Sequence, residues 1–262
     1  MAEFRPILMS TVQYDPELRS GQRPLTEILQ VAKRLGVDGV ELRDVYWADK
    51  SADLPTCRRL SEELGLRLAY ATFARLFGAE PNGRESVRQA IEDGAALGAP
   101  IVRIFPGPVP DDADGHGWAG ARELIDLATK RGIVLALENY SGTPGGRLDE
   151  IEHVLRQIDS PTLGTNVDIG NYNLNGQDIP AAIRALGPRI VYSHLKHNRR
   201  VEDKNEATYL GGGDLPLDDT IAEFGRLAQP VTYCFEFAGG GDPEGRIQKS
   251  LDYLRGVSRS AA

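Results

Sequence analysis

A helical pattern closed by glycine and followed by a short apolar run recurs along this chain. It stands at Leu35-Gly36, Leu64-Gly65, Leu97-Gly98, Arg131-Gly132 and Leu186-Gly187. Glycine in that place supplies the left-handed backbone that stops a helix before the chain turns into a strand. The first four recur about every 30 residues, the length of one βα unit. A chain that alternates strand and helix on a fixed period lays its strands parallel, because each helix returns the chain to the same end of the sheet.

Read on that period, eight segments are predicted as strands: Ile7–Thr11, Gly39–Arg43, Leu66–Thr72, Ile101–Phe105, Ile133–Glu138, Leu163–Asp168, Ile190–Lys196 and Val231–Phe237. Eight helical patterns alternate with them: Pro24–Leu35, Ala52–Leu64, Arg84–Leu97, Trp118–Arg131, Leu148–Ile158, Asp178–Leu186, Leu217–Leu227 and Pro243–Val257. In the third, Val87, Ala90, Ile91, Ala95 and Leu97 fall on one side, as in an amphipathic helix. Eight such units in 262 residues are what an α/β chain needs to close into a (β/α)8 TIM barrel. No linker or break in composition interrupts them, so residues 1–262 read as a single domain. A doubly wound open sheet would carry G-x-G-x-x-G after its first strand, and none is there.

Charge narrows the partners. A net charge of −8 argues against nucleic acid, which calls for a basic face. No apolar run approaches the roughly 18 residues of a membrane span. Met1–Thr11 has no charged-then-apolar leader. A cytoplasmic location is therefore expected, with no membrane partner. Cys57 and Cys234, the two cysteines, are too few for a disulfide scaffold and read as buried thiols.

In a barrel the strand-to-helix loops form the working face. The last four predicted strands leave for that face on Glu138, Asp168, His194 and Glu236, each ending or nearly ending an apolar run. A carboxylate leaving a buried strand needs a cation, since desolvating it unpaired costs roughly several kcal/mol. Adjacent strands lie about 5 Å apart, so the four side chains can converge. Three carboxylates and an imidazole repel one another unless a divalent metal sits between them. Three oxygens and one nitrogen suit manganese, Mg2+, Co2+ or Zn2+. The alternative for each residue alone is a salt bridge to a nearby Lys or Arg; four from consecutive strands favour the metal.

With Gly39-Val-Glu41-Leu42, Glu138-Asn139, Asp168-Ile-Gly170-Asn171, His194-Leu-Lys196 and Phe235-Glu236-Phe237 in hand, the chain resembles the xylose-isomerase-like TIM-barrel sugar isomerases and epimerases. The resemblance covers essentially the whole chain. It implies that Glu138, Asp168, His194 and Glu236 hold one divalent metal ion and that the two glutamates move protons. It also implies that Arg200, six residues beyond the histidine, grips the sugar. The chain departs from the ketose epimerases at Asn171, where a histidine is common, and at His197, where an acid is usual. Asn171 is then a substrate-binding position of altered chemistry.

Other residues have two readings each. Lys196 shares a strand face with His194, so it could steady a developing enolate or pair with a neighbouring acid. Glu41 and Arg103, inside apolar strands, are expected to form an interior ion pair. Tyr46, Trp47, Phe73, Phe105, Tyr140 and Tyr172 follow predicted strands, where they would wall a pocket or anchor loops. The segment His197–Pro216 is long enough for a lid or binding loop, or a solvated excursion. Gly211-Gly-Gly-Asp214 and Gly239-Gly-Gly-Asp242 lie where many barrels bind phosphate, but each ends in an aspartate that would oppose one. Asp242 before Pro243 reads as a helix N-cap.

The expected activity is a metal-dependent isomerase or epimerase of a ketose, inosose or related polyol, working through an enediolate. The alternative is a lyase or dehydratase that expels a leaving group from a keto-inositol or 3-keto-glycoside. A metal-bearing sugar-binding protein without turnover is a third class. Abasic-site endonucleases share the barrel, but their three-zinc site needs many histidines, and this chain has 4. The expected partner is a small-molecule carbohydrate, and assembly into a homo-oligomer is left open.

Overall fold

The computed structural model describes residues 5–79, 81–111, 115–140, 142–202, 204–215 and 217–260. The ends of the 1–262 unit, with Met1–Phe4 of the leader search, and Pro216 at the end of the long loop lie outside them.

Eight parallel strands close into a barrel: β1 (Ile7–Ser10), β2 (Gly39–Arg43), β3 (Arg67–Arg75), β4 (Ile101–Phe105), β5 (Val134–Glu138), β6 (Leu163–Asp168), β7 (Ile190–Leu195) and, last in the chain, β10 (Thr232–Phe235). Neighbours in sequence pair around the ring, and β10 joins β7 to β1, with Ile7 beside Tyr233. Each predicted strand is present, with ends displaced by three residues or fewer. The turns that set the period are as read: Gly36, Gly65, Gly98 and Gly132 all take positive φ at their helix ends. Gly187 also caps its helix with positive φ, 45°, but its ψ of −120° is not left-handed helical, and it opens a 3-10 turn, Gly187–Arg189, before β7.

Two apolar regions follow from the period-2 alternation of strands. Outward residues such as Val40, Leu68, Val102, Leu135 and Val167 pack against the helices in the main core. Inward residues Leu8, Ala69, Ala136, Tyr192 and Cys234 fill the lumen as a separate cluster. Two residues further along their strands, Ser10, Glu138, His194 and Glu236 point to the same side as Leu8, Ala136, Tyr192 and Cys234. The lumen is therefore apolar below and charged at its strand-exit end.

Several elements were not foreseen, among them the short helix Asp15–Arg19 and two features at the strand exits. Ile169–Leu174 forms a short helix immediately after β6, with Asp168 Oδ1 accepting from the Asn171 amide at 2.9 Å. The long loop folds into an antiparallel hairpin, β8 (His197–Val201) with β9 (Lys204–Thr208). Its buried end carries His197 and Thr208, while residues from Arg199 to Ala207 that are described are exposed. Among the described residues, no helix is long and apolar enough to cross a membrane.

Candidate metal centre

The structure brings the four strand-exit residues together. His194 Nδ1 lies 3.6 Å from Glu138 Oε2, 3.6 Å from Asp168 Oδ2 and 3.9 Å from Glu236 Oε2. Register explains the meeting, because Asp168 and His194 are direct neighbours across β6 and β7, and Cys234 pairs with His194 two residues before Glu236. His194 and Asp168 are wholly buried.

Charge is balanced at these atoms, but their hydrogen bonding is incomplete. Glu138 Oε2, Asp168 Oδ2 and His194 Nδ1 are buried and have no well-aligned hydrogen bond among the described residues. The cations beside them are off-axis: Arg103 Nε is 2.8 Å from Glu138 Oε2, and Lys196 Nζ is 2.6 Å from Asp168 Oδ2. Misaligned ion pairs leave part of the bonding capacity of these buried atoms unused, and an ion could take it up. The donor atoms of Glu138, Asp168 and His194 all lie within 4.8 Å of one another, so the trio could hold a metal ion. Bonds of about 2.1 Å to one ion would set such atoms roughly 3–4 Å apart, which fits the 3.6 Å spacings.

The histidine is oriented for that task. Its Nε2 is 2.7 Å from Glu41 Oε2, and Glu41 Oε1 accepts from the Ser10 hydroxyl at 2.8 Å. With Nε2–H donated to Glu41, Nδ1 is the nitrogen turned toward the three carboxylates, and it becomes a free lone pair once its proton is lost. A carboxylate behind a ligand histidine fixes tautomer and ring angle in this way. The expected ion pair of Glu41 with Arg103 is thus corrected. Arg103 sits on Glu138 and donates through Nη1 to Thr72 O at 2.6 Å, while Glu41 reaches across the lumen to β7.

The remaining contacts divide the two glutamates. Glu138 is held by Arg103 and by Asn171, whose Nδ2 donates to Oε1 at 3.2 Å. Glu236 is held by Arg43 Nη1 on Oε1 at 2.8 Å and by Lys196 Nζ on Oε2 at 2.6 Å. Lys196 crosses directly over Gly170, where an added Cβ would stand 2.6 Å from its Cε; the glycine of Asp-x-Gly is a clearance for this side chain. Arg200 is exposed on β8, with Nε donating to Glu202 O at 3.3 Å. His197 is buried, accepting from Gly211 N at Nδ1 and donating from Nε2 to Leu215 O, so it braces the hairpin base. Asp242 caps its helix, accepting from Gly245 N at 3.0 Å. Sequence reading missed Arg43 and Ser10. A charged residue closing an apolar strand was the available signal for Arg43.

Aromatic rings stand beside the centre. Phe73 and Tyr140 are exposed and flank buried Phe105, with ring centroids 6.1 and 5.7 Å away, and Arg103 Cζ lies 4.7 Å from the Phe105 centroid. Tyr46 and Tyr172 are instead buried in the main core. Tyr140 also edges an open cleft of about 530 Å3 lined by Thr143, Arg147, Glu150, Asn175 and Gln177.

A family model described as xylose isomerase-like TIM barrel matches residues 29–257. The chain belongs to this family. An uncharacterized protein of Methanocaldococcus jannaschii is 26% identical over 213 residues, covering 74% of this chain and 72% of that one. Among solved structures, a D-allulose 3-epimerase from Methylomonas sp. superposes with TM-score 0.76 at 18% identity, over 98% of this chain and 100% of the other. An L-ribulose 3-epimerase does so with TM-score 0.77 at 15% identity, over 98% and 97%. A probable 3-DHS dehydratase, AsbF, from Bacillus anthracis gives TM-score 0.76 at 16% identity, over 95% and 98%. At these identities the likeness is one of xylose isomerase-like fold.

Proposed function

We propose that this protein is a divalent-metal-dependent isomerase or epimerase of a ketose, inosose or related polyol, acting through an enediolate. The observation that carries the reading is the meeting of three buried donor atoms without aligned hydrogen bonds, Glu138 Oε2, Asp168 Oδ2 and His194 Nδ1, with Glu236 beside them. When bound, a divalent ion such as Mn2+ would act as a Lewis acid, acidifying the C–H between a substrate carbonyl and its neighbouring hydroxyl.

The side chains supply the rest. Burial alone would raise the pKa of Glu138, but Arg103 and His194 bring it below the usual carboxylate value. Burial acts on Glu236 in the same direction and is outweighed by Lys196, His194 and Arg43. Both carboxylates are therefore ionised and able to accept a proton. They leave β5 and β10 with β6 and β7 between them, which supports one base on each face of a substrate. Burial would lower the Lys196 pKa, but Asp168, Glu236 and Glu138 raise it, so a full ammonium is present to steady an enediolate oxygen. Asn171 and Arg200 would hold hydroxyls, and Phe73, Phe105 and Tyr140 would stack on the sugar's C–H faces.

A screen of the Mn2+-loaded protein over free ketoses and inososes in heavy water tests the reading. The substrate should take up deuterium beside its carbonyl, only with metal present; no uptake from any of them would sink it.

The placement of Lys196 against Glu236 favours a second reading, elimination from a keto-inositol or 3-keto-glycoside, since an ammonium beside the base can protonate a departing oxygen. One structure of the same fold is titled a probable dehydratase. Product mass separates the two: an isomer keeps it, a dehydration product loses water.

Two expectations concern metal affinity. Burial would lower the His194 pKa, but Glu41, Glu138 and Glu236 raise it well above the ordinary imidazole value, so the metal-free ring is protonated at neutral pH. A metal at Nδ1 must displace that proton. Affinity should climb with pH by about tenfold per unit while His194 is the group deprotonated, with one proton released per ion. Mn2+ titration calorimetry across the neutral range reads both, and a flat profile would remove His194 as a ligand. Separately, Glu41→Gln should weaken Mn2+ binding by about 10–100-fold while leaving all four donors in place. Unchanged affinity would make the Glu41–His194 contact merely structural.

A further inference from the structure

We infer that the substrate carries a carboxylate beside its reacting carbonyl and that Arg43 binds it. This rests on the metal-assisted reading above and narrows its substrate to a keto sugar acid.

The case begins with charge. Four carboxylates, Glu41, Glu138, Asp168 and Glu236, share the lumen's mouth with three fixed cations, Arg43, Arg103 and Lys196. His194 is neutral when it serves as a ligand. These side chains then carry one net negative charge, and a divalent ion turns it into one net positive charge. A neutral sugar leaves that surplus uncompensated at a largely buried centre, where unpaired charge is costly, about several kcal/mol. A singly charged acid cancels it.

Geometry then selects the cation. Arg103 is 1% exposed and committed to Glu138 and the Thr72 carbonyl. Lys196 lies 2.6 Å from both Asp168 Oδ2 and Glu236 Oε2, which it bridges. Arg43 is different. The one described hydrogen bond of its side chain runs from Nη1 to Glu236 Oε1, out of the five N–H donors a guanidinium owns. Its side chain is 12% exposed, at the strand-exit end of β2. The exposed Phe73 ring lies 5.7 Å from Arg43 Cζ and gives the guanidinium an aromatic face to rest on. A flat guanidinium held in this way offers two parallel N–H groups, the arrangement that matches a carboxylate. Because Arg43 also touches Glu236, a carboxylate on Arg43 would lie near the proposed base, with the carbonyl carbon between it and the carbon deprotonated.

The test compares 2-keto-D-gluconate with D-fructose, which differ by a carboxylate in place of the hydroxymethyl group beside the carbonyl. Binding is measured by titration calorimetry on Mn2+-loaded protein, with metal content determined beforehand. The wild-type protein should bind the acid at least about tenfold more tightly, or about 1.4 kcal/mol. Arg43→Gln should bring the two ligands within about twofold of each other at unchanged metal content, and Arg43→Lys should keep part of the preference through its charge. Equal or reversed preference in the wild type, no binding of the acid, or a preference that survives Arg43→Gln would each overturn the inference. Absence of Mn2+ uptake would instead sink the metal-assisted reading, and this inference with it, before any ligand is added.

Discussion

Glu138→Gln and Glu236→Gln should each abolish net turnover, by about 10^2–10^4-fold, and the two should fail in opposite ways. Each glutamate sits in its own cradle, Arg103 with Asn171 for Glu138 and Arg43 with Lys196 for Glu236. Removing the charge of one leaves the other's own cradle of hydrogen-bonding and charged partners in place. If each serves one face of the substrate, a variant retaining metal can still exchange the proton of the epimer whose face keeps its base. In heavy water the two variants should label opposite epimers. Metal content must be measured first, since loss of a ligand would mimic loss of a base. Wild-type turnover without any deuterium in the product would favour a hydride shift or a shielded single base, and the two-base assignment would fall.

Asp168→Asn is expected to cost close to one equivalent of bound metal per chain, which elemental analysis of the two purified proteins reads directly. The change is nearly isosteric. The amide oxygen can still accept from the Asn171 amide, so the cap on the Ile169–Leu174 helix survives. What is lost is the charge at Oδ2, the wholly buried atom between His194 Nδ1 at 3.6 Å and Lys196 Nζ at 2.6 Å. An uncharged amide there is a poor ligand for a hard divalent ion, and Lys196 is left without its first partner. Equal metal in both proteins would mean that the ion, if any, sits elsewhere.

The barrel was legible because its signals are local. A glycine that stops a helix and an apolar run that follows it act within a few residues of themselves, so the period emerges from the sequence directly. The same locality let Glu138, Asp168, His194 and Glu236 be placed at one mouth, where the structure brings them together. Contacts across the lumen were not legible. Glu41 and His194 lie on β2 and β7, which are not neighbours in the sheet, and nothing in either strand says how far apart their inward side chains stand. Arg43 was passed over because a charged residue at a strand end usually meets water. The hairpin escaped for a third reason. His-Asn-Arg-Arg-Val and Lys-Asn-Glu-Ala-Thr bury only their base, so they lack the apolar alternation that marks a strand.

The seam between β1 and β10 has a consequence for how this protein comes into being. Ile7 meets Tyr233 only after all the other barrel strands have been made, and loops of that length close slowly. Glu236 stands just past the strand that fills the seam. A nascent chain therefore carries Glu138, Asp168 and His194 before it has a closed lumen to gather them in, and it exposes the unpaired edges of β1 and β7 meanwhile. Gathering of the four strand-exit residues is then tied to closure of the barrel, because Glu236 and the strand that fills the seam arrive together.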